Sequence, residues 1–313
     1  MKAAVIVPTN RPERMAEFVR AWEPQFLRPD VRLLVVEDHP MKEFELPAWV
    51  EHYCHEDFAE LGERASCIPT RSGGCRSYGI WAAAQDKALD MIVSLDDDCL
   101  PLDGGHFLGG HWGMLANEPR VLRWWKVAPD YTRGFPYGLR AGILPVLNHG
   151  LWAGVPDLDA ITQLHNPDQR FSPTNENEAV PWGSYFPMCA MNVAFRPIIA
   201  PIMYFPPMPD GMRRWDDIWG GIVAKKICDA HGWPVASGFP CVQHLRASNV
   251  WANLRQEWMG YELNEHLWQV VDGAPIGGVG ILEDYCCIAR RIWSEFPELG
   301  GMAKAMLDWA GLW

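Results

Sequence analysis

Met91-Ile-Val-Ser-Leu95, followed at once by Asp96-Asp97-Asp98, is the stretch of this sequence that decides the fold class. A short apolar run of this kind is typical of a parallel strand that is covered on both faces. Similar runs at 3–8 and 32–37 also end in polar residues. In open α/β sheets, ligands bind beyond the carboxyl ends of the strands. The pattern therefore predicts an α/β fold with a ligand site at that edge of the sheet.

Helical spacing occurs at 11–22, 76–88 and 218–231, and Gly232 suits the left-handed end of the last of these helices. The segment from 100 to 185 is rich in Pro, Gly and Trp, which favours loops beside the site. From 249 onward the chain is mainly helical. We expect a catalytic domain at 1–248 and a helical C-terminal extension at 249–313 that packs on the same unit.

The charge balance limits the classes of partner. Lys and Arg total 27 against 39 Asp and Glu, a formal net charge of −12, which argues against nucleic-acid binding. An acidic chain that binds a phosphorylated small molecule needs local arginines or a bound cation. The sequence has no Gly-x-Gly-x-x-Gly after the first run and no Walker A motif, so we expect neither a flavin nor a P-loop.

Cysteine usage and hydropathy indicate the compartment. The nine cysteines form no CxxC pair, no apolar leader follows Met1, and no apolar run approaches the length of a membrane span. We therefore expect a cytoplasmic protein without a membrane span. His52, Cys54 and His55 suggest zinc, but a fourth ligand at zinc spacing is missing.

The three adjacent carboxylates at 96–98 repel one another unless a cation or hydrogen-bond donors compensate them. They predict a site for a hard metal with oxygen ligands, Mn²⁺ or Mg²⁺, and the alternative is a solvated acidic turn. A second acidic pair, Asp216-Asp217, begins a predicted helix. One of the pair is expected to cap that helix, and the other can act as a base or accept a hydrogen bond from a sugar hydroxyl.

Several ordered blocks carry a resemblance to a known family. From about 5 to 269 the sequence resembles the reversibly glycosylated polypeptides, whose plant members include UDP-arabinopyranose mutases. The matching blocks are Pro8-Thr9 with Arg11, VVEDHP at 35–40, CRSYG at 75–79, DDDC at 96–99, RGFPYGLR at 133–140, HGLWAGVPDLDAITQL at 149–164, FPMCAMNVAF at 186–195, RRWDDIWGG at 213–221 and HLRASN at 244–249.

The resemblance implies a GT-A-like fold that binds a UDP-sugar through Mn²⁺ or Mg²⁺ and uses no flavin. It places Asp38 near the uracil, Arg76 near the nucleotide and His244, otherwise a lone histidine, among the metal ligands. The resulting assignments are these: nucleotide binding by Pro8, Thr9, Arg11, Asp38, Arg76, Asp96, Asp97 and Arg140, metal binding by Asp96, Asp98 and His244, and catalysis by Arg133, Asp216 and Asp217.

The family activity implied is the interconversion of pyranose and furanose forms of a UDP-sugar of the UDP-arabinose type, with reversible self-glycosylation at Arg133. That arginine is either a covalent sugar carrier or a cation beside the leaving group. Arg140 is expected in structure or in diphosphate contact. The alternatives are a glycosyltransferase with a separate acceptor and a self-glycosylating scaffold. Departures from the plant pattern at 136–142 and 152–164 leave the sugar open, and a homo-oligomer is also left open.

Overall fold

The computed structural model describes residues 1–102, 106–117, 119–126, 130–245 and 249–313. The strands of these residues are β1 (Ala3–Thr9), β2 (Val31–Glu37), β3 (Val50–Tyr53), β4 (Met91–Leu95), β5 (Cys99–Leu100), β6 (Leu147–Gly154), β7 (Asn177–Ala179), β8 (Asn192–Phe195) and β9 (Val235–His244). The α-helices are α1 (Pro12–Phe26), α2 (Arg76–Ala84), α3 (Phe107–Ala116), α4 (Ala160–His165), α5 (Asp216–Ala230), α6 (Val250–Glu257), α7 (Gly260–Asp272), α8 (Ile281–Glu295) and α9 (Gly300–Ala310).

One sheet contains all of these strands, in the order β3-β2-β1-β4-β8-β6-β9-β5, with β7 paired to β9. The strands β3, β2, β1 and β4 are parallel to one another, and β6 is parallel to β9. Because β8 lies antiparallel between β4 and β6, these two strands run in the same direction. The predicted α/β class with a mostly parallel sheet is confirmed.

Helices cover both faces of the sheet, as the unbroken apolar strands require. In β1, Ile6 belongs to one hydrophobic cluster, whereas Val5 and Val7 belong to the other, because successive side chains point to opposite faces. Helices α1 and α3 cover the face of Val5, and α2, α5, α8 and α9 cover the face of Ile6. Trp22 and Trp309 are fully buried, so these tryptophans serve packing in the core.

The prediction of loops through 100–185 was wrong for part of that segment, which contains α3, the interior strand β6 and α4. Polar residues at the start of β6 disguise it in the sequence. Asn148 and His149 are nevertheless buried, and the Asn148 side-chain amide donates to the carbonyl oxygen of Phe239 at 2.9 Å. Hydrogen bonds such as this one allow polar residues inside a core, where an apolar pattern alone does not reveal the strand.

The C-terminal helices share the core of the sheet. Ile288 of α8 and Met306 of α9 lie in the same hydrophobic cluster as Ile6 of β1. The boundary at 248 falls outside the described residues, so the division at that point stays a prediction. Among the described residues, we find no helix with the length and apolarity needed to cross a membrane.

Candidate active site

A cleft of about 810 Å³ opens where the parallel strands end, a size suited to a small-molecule ligand. Its walls come from the ends of β1, β2, β4, β6 and β9 and from the start of α5. Most of the residues predicted from the sequence line it together: Pro8, Thr9, Arg11, Asp38, Arg76, Asp96, Asp97, Asp98, Asp216, Asp217 and His244. The lining does not include Arg133 or Arg140.

Asp97 is bound by the protein itself. The Thr9 hydroxyl donates to Asp97 Oδ2 at 2.6 Å, and the Arg11 guanidinium binds both oxygens of the same carboxylate. Arg11 also reaches Asp98 at 3.2 Å. Arg11, just after β1, therefore neutralises part of the acidic turn and offsets the repulsion between the carboxylates that was predicted from the sequence.

Arg76, at the start of α2, holds a second member of the turn. Its guanidinium donates to Asp96 Oδ1 at 2.6 Å, to the Ser94 hydroxyl at 2.7 Å and to the Ala190 carbonyl at 2.8 Å. Its Nε donates to the Gly73 carbonyl at 2.9 Å. Most donors of this buried arginine are thus occupied by protein oxygens, so it fixes the turn more than it reaches into the cleft.

Asp98 and His244 face each other because β5 pairs with the end of β9. Asp98 Oδ1 lies 4.0 Å from His244 Nε2. His244 Nδ1 donates to the Val155 carbonyl at 2.7 Å, which leaves the lone pair of Nε2 turned toward the carboxylate in the neutral ring. A backbone acceptor that fixes the histidine tautomer is typical of metal-binding histidines, so these two donors suit a divalent cation.

The donor atoms of Asp96, Asp98 and His244 do not come together as closely as those of another group. Among the described residues, Glu37, His39 and Glu43 form the one such group, with donor atoms within 4.8 Å of one another. Within this group the Glu37 carboxylate already accepts hydrogen bonds from the Glu43 amide at 3.0 Å and contacts His52 Nε2 at 2.9 Å. The metal assignment to Asp96, Asp98 and His244 stays a prediction.

Asp38, predicted near the uracil, lies at the rim of the cleft directly after β2. Its Oδ1 accepts the backbone N–H of Arg71 at 2.8 Å and contacts His55 Nε2 at 2.8 Å. His52 instead contacts Glu37, so the two histidines that only weakly suggested zinc in the sequence contact different carboxylates.

Asp216 and Asp217 occupy the first turn of α5, whose N-cap residue is Trp215 rather than either aspartate. Asp216 accepts from the Ser72 hydroxyl and Asp217 from the Ala190 amide, each at 3.1 Å. Burial, together with Asp216 and Asp157, raises the pKa of Asp217 to about 8. The raised pKa favours the protonated carboxyl at neutral pH, and a protonated carboxyl can donate a hydrogen bond.

Sequence reasoning gave no role to a second set of cleft residues. Arg214 Nε donates to Glu257 Oε1 at 2.9 Å, and its Nη2 lies 3.8 Å from Asp157. The Cys189 thiol donates to Asp157 at 2.7 Å. Asp157, Cys189 and Arg214 fall in blocks that carry the family resemblance, which was the available signal, whereas Glu257 comes from outside every block.

Arg133 and Arg140 lie on a loop at the other edge of the sheet. Val121 pairs with Ile143, just before β6 begins, and Arg123 lies against Gly232, just after α5 ends. The cleft forms where β6 ends and α5 begins. Arg133 is exposed, and the Arg140 guanidinium lies over the rings of Tyr131 and Tyr137, at 4.6 and 3.8 Å from their centroids.

Comparison with known proteins identifies the family. Residues 122–313 match the family described as reversibly glycosylated polypeptide. The chain belongs to the reversibly glycosylated polypeptide family. It is 34% identical to UDP-arabinopyranose mutase 3 and 31% identical to UDP-arabinopyranose mutase 2, both from Arabidopsis thaliana. Each alignment covers 99% of this chain and 90% of the relative.

Solved structures share a more distant likeness with this family member. Glucosyl-3-phosphoglycerate synthase from Mycobacterium tuberculosis, in complex with Mn²⁺, UDP and phosphoglyceric acid, is 14% identical with a TM-score of 0.47. That comparison covers 89% of this chain and 81% of the synthase. Residues 1–349 of TarS from S. aureus, in complex with UDP-GlcNAc, are 12% identical with a TM-score of 0.44, and 94% of this chain and 73% of that one are covered.

Proposed function

We propose that this protein is a UDP-sugar mutase of GT-A type that interconverts pyranose and furanose forms of a UDP-sugar of the UDP-arabinose type. The observation that carries the proposal is the meeting of two unlike acidic groups in one cleft. The turn at 96–98 is compensated by Arg11 and Arg76, whereas burial and two neighbouring carboxylates raise the pKa of Asp217 at the start of α5. Family membership supports the same activity.

A divalent cation, Mn²⁺ or Mg²⁺, is part of the proposal, with Asp98 and His244 as ligands and Asp96 beside them. The free Nε2 of His244 and the facing Asp98 oxygen fit a cation that accepts both nitrogen and oxygen donors. When bound, such a cation stabilises the negative charge that develops on the departing UDP. We propose that no flavin takes part.

The nucleotide is proposed to lie along the ends of β1 and β2. Asp38 lines this part of the cleft, and its Oδ2, which accepts no hydrogen bond from a described residue, can accept the N–H of a uracil ring. Pro8 and Thr9 form the wall beside it, and Arg11 brings a positive charge next to the acidic turn. These residues bind and orient the substrate.

The sugar is proposed to lie between Asp157 and the start of α5. In the reaction, the bond between the anomeric carbon and the phosphate oxygen breaks, and the electron pair leaves with UDP. A second hydroxyl then bonds to the anomeric carbon and loses its proton, the former ring oxygen gains a proton as its own bond to that carbon breaks, and UDP reattaches to the anomeric carbon. Asp217 holds a proton that it can give, and Asp216 is the neighbouring carboxylate that can receive one.

Reversible self-glycosylation at Arg133 belongs to the proposal on family grounds rather than on the geometry of the cleft. As a covalent carrier Arg133 would take the sugar from UDP, and as a cation it would stand beside the leaving group. Its exposed position away from the cleft favours one alternative, a glycosyltransferase that passes the sugar to a separate acceptor. Nine free cysteines, most of them buried, fit a reducing compartment such as the cytoplasm.

Product analysis tests the proposal. The protein is incubated with UDP-arabinopyranose and Mn²⁺, without acceptor, and the nucleotide products are separated and identified by NMR. We expect UDP-arabinofuranose, and we expect the Asp217→Asn variant to form it about a hundredfold more slowly than the wild type. In a parallel incubation with candidate sugar acceptors, a glycosylated acceptor without ring interconversion would establish a transferase. Modified protein without turnover would establish a scaffold, and either result contradicts the mutase assignment.

A further inference from the structure

The arginines along the cleft differ in what holds them. Five arginines line the cleft among the described residues: Arg11, Arg71, Arg76, Arg213 and Arg214. Four are ion-paired with the protein, Arg11 with Asp97 and Asp98, Arg76 with Asp96, Arg213 with Asp210, and Arg214 with Glu257. The exposed Arg71 side chain has no hydrogen bond or ion pair with any described residue. It is the cleft arginine whose charge stays available to a ligand.

The backbone of Arg71 is also exceptional. Its φ is +59°, and no other non-glycine residue in the described part of the chain has a positive φ. A side chain in this left-handed region costs free energy, because Cβ approaches the following carbonyl oxygen. Residues that keep such a conformation cluster at ligand-binding and catalytic sites, where the surrounding structure holds them.

The contacts around Arg71 explain how the conformation is held. Its backbone N–H donates to Asp38 at 2.8 Å, and the next residue, Ser72, donates through its hydroxyl to Asp216 at 3.1 Å. Gly74 packs so closely that a Cβ there would lie 2.9 Å from the Phe205 carbonyl oxygen. The turn is therefore fixed between the proposed uracil end of the cleft, at Asp38, and the proposed sugar end, at Asp216.

We propose that Arg71 binds the diphosphate of the nucleoside diphosphate substrate, and that the strained turn holds its guanidinium ready between the two ends of the cleft. This inference rests on the proposed function of the cleft. A diphosphate brings negative charge into a cavity already rich in carboxylates, so an uncompensated cation is needed there. Guanidinium binds phosphate oxygens through two parallel N–H donors, and Arg71 has all of its side-chain donors free among the described residues.

The test measures nucleotide affinity rather than turnover. Titration calorimetry compares UDP and uridine on the wild type, Arg71→Ala, Arg71→Gly and Arg71→Lys, at one fixed Mn²⁺ concentration. Arg20→Ala is the matched control, since Arg20 is also exposed but lies on α1, outside the cleft lining. We expect Arg71→Ala and Arg71→Gly each to weaken UDP binding by about tenfold or more, with Arg71→Lys in between. Uridine affinity should stay unchanged.

Thermal unfolding of the same variants separates binding from backbone strain. Glycine has no Cβ and accepts a positive φ, so Arg71→Gly should unfold at a higher temperature than Arg71→Ala, although both lose the same affinity for UDP. A variant that binds UDP less tightly while unfolding at a higher temperature cannot owe the lost affinity to a damaged fold.

The outcomes distinguish this inference from the function on which it rests. UDP affinity of Arg71→Ala and Arg71→Gly equal to that of Arg20→Ala would overturn the role of Arg71 alone. Equal losses of UDP and uridine affinity would also overturn it, because the contact would then be to the nucleoside rather than to phosphate. If the wild type binds no UDP, the proposed function fails together with the inference.

Discussion

The two edges of the sheet hold their positive charges in different ways. At the cleft, Arg11, Arg76 and Arg214 are ion-paired with carboxylates. At the opposite edge, the charges of Arg123 and Arg140 lie over aromatic rings, and neither forms an ion pair with a described carboxylate. A carboxylate neutralises an arginine, whereas a ring face holds it without cancelling its charge. The difference indicates that the positive charges in the cleft are largely neutralised by carboxylates, whereas those on the opposite loop remain available to solvent or to a partner.

The largest expected effect comes from comparing the two ends of β4. Asp98→Asn, at the cleft end, should lower turnover by about a hundredfold or more and weaken UDP binding in Mn²⁺, because it removes a proposed metal ligand. Asp90→Asn is the control, since Asp90 precedes the same strand at the other edge and accepts the Lys2 amide. Steady-state kinetics across Mn²⁺ concentrations measure both. Full activity of Asp98→Asn in excess chelator would contradict the metal assignment.

Labelling of Arg133 is the next test of the difference between the two edges of the sheet. Radiolabelled UDP-sugar should label Arg133 reversibly, and Arg133→Ala should abolish the label. Because Arg133 lies at the edge away from the cleft, we expect the sugar to come from the cleft of another molecule. The initial labelling rate per chain should then rise with protein concentration, and a mixture of Arg133→Ala with Asp98→Asn should label the Asp98→Asn chain.

A labelling rate per chain that does not depend on concentration would show that the loop reaches its own cleft. Mass spectrometry of the digested protein identifies the labelled residue and so controls for modification elsewhere. Arg133→Lys separates the two proposed roles, since it keeps the charge but loses the planar guanidinium.

The pH dependence of the reaction should report Asp217. Its pKa is raised to about 8, so the carboxyl is protonated at neutral pH and becomes charged above that value. A new charge beside Asp216 and Asp157 repels the diphosphate of the substrate, so kcat/KM should fall as the pH rises through about 8. Asp217→Asn mimics the protonated form, so the variant should still bind UDP-sugar but turn over about a hundredfold more slowly. Its affinity for UDP-sugar should not fall as the pH rises through about 8. If the affinity of the variant falls at the same pH as that of the wild type, the titrating group is not Asp217.

The smallest expected effect is that of Arg140, which the resemblance placed at the nucleotide and the structure places over Tyr131 and Tyr137. Arg140→Leu should lower the free energy of unfolding by about 1 kcal/mol through loss of the cation–π contacts. UDP affinity should remain that of the wild type. A clear loss of UDP affinity, measured beside urea denaturation, would bring this loop into the nucleotide site and weaken the contrast between the edges.

Local signals predicted the elements that carry the cleft. The start of α2 at Arg76 and the end of β4 before Asp96 follow from periodicity and from apolar runs, because neighbouring residues decide both. The contact of Glu257 with the Ala160 amide at 2.7 Å joins positions far apart in sequence, and no local pattern encodes it. His244 is the last residue of β9, a strand of ten residues that the sequence pattern does not reveal, because Pro240 and the small residues at 236–238 interrupt its apolar run.

The position of Arg133 could not come from the sequence. The block at 133–140 identifies the family, but a family motif carries no information about which edge of the sheet a long loop follows. That choice depends on Val121 pairing with Ile143 and on Arg123 lying over the ring of Trp182. Both contacts exist only once the sheet has formed.

Ala190 gives the cleft a fixed length. Its amide donates to Asp217 at 3.1 Å, and its carbonyl accepts from Arg76 at 2.8 Å, so one buried residue separates the group proposed to meet the sugar from the group that holds the acidic turn. The span of a single residue cannot stretch. We therefore expect the cleft to select ligands first by the distance between their phosphate and their ring hydroxyls. A sugar carried on a longer linker would reach the turn or the carboxyl pair, but not both.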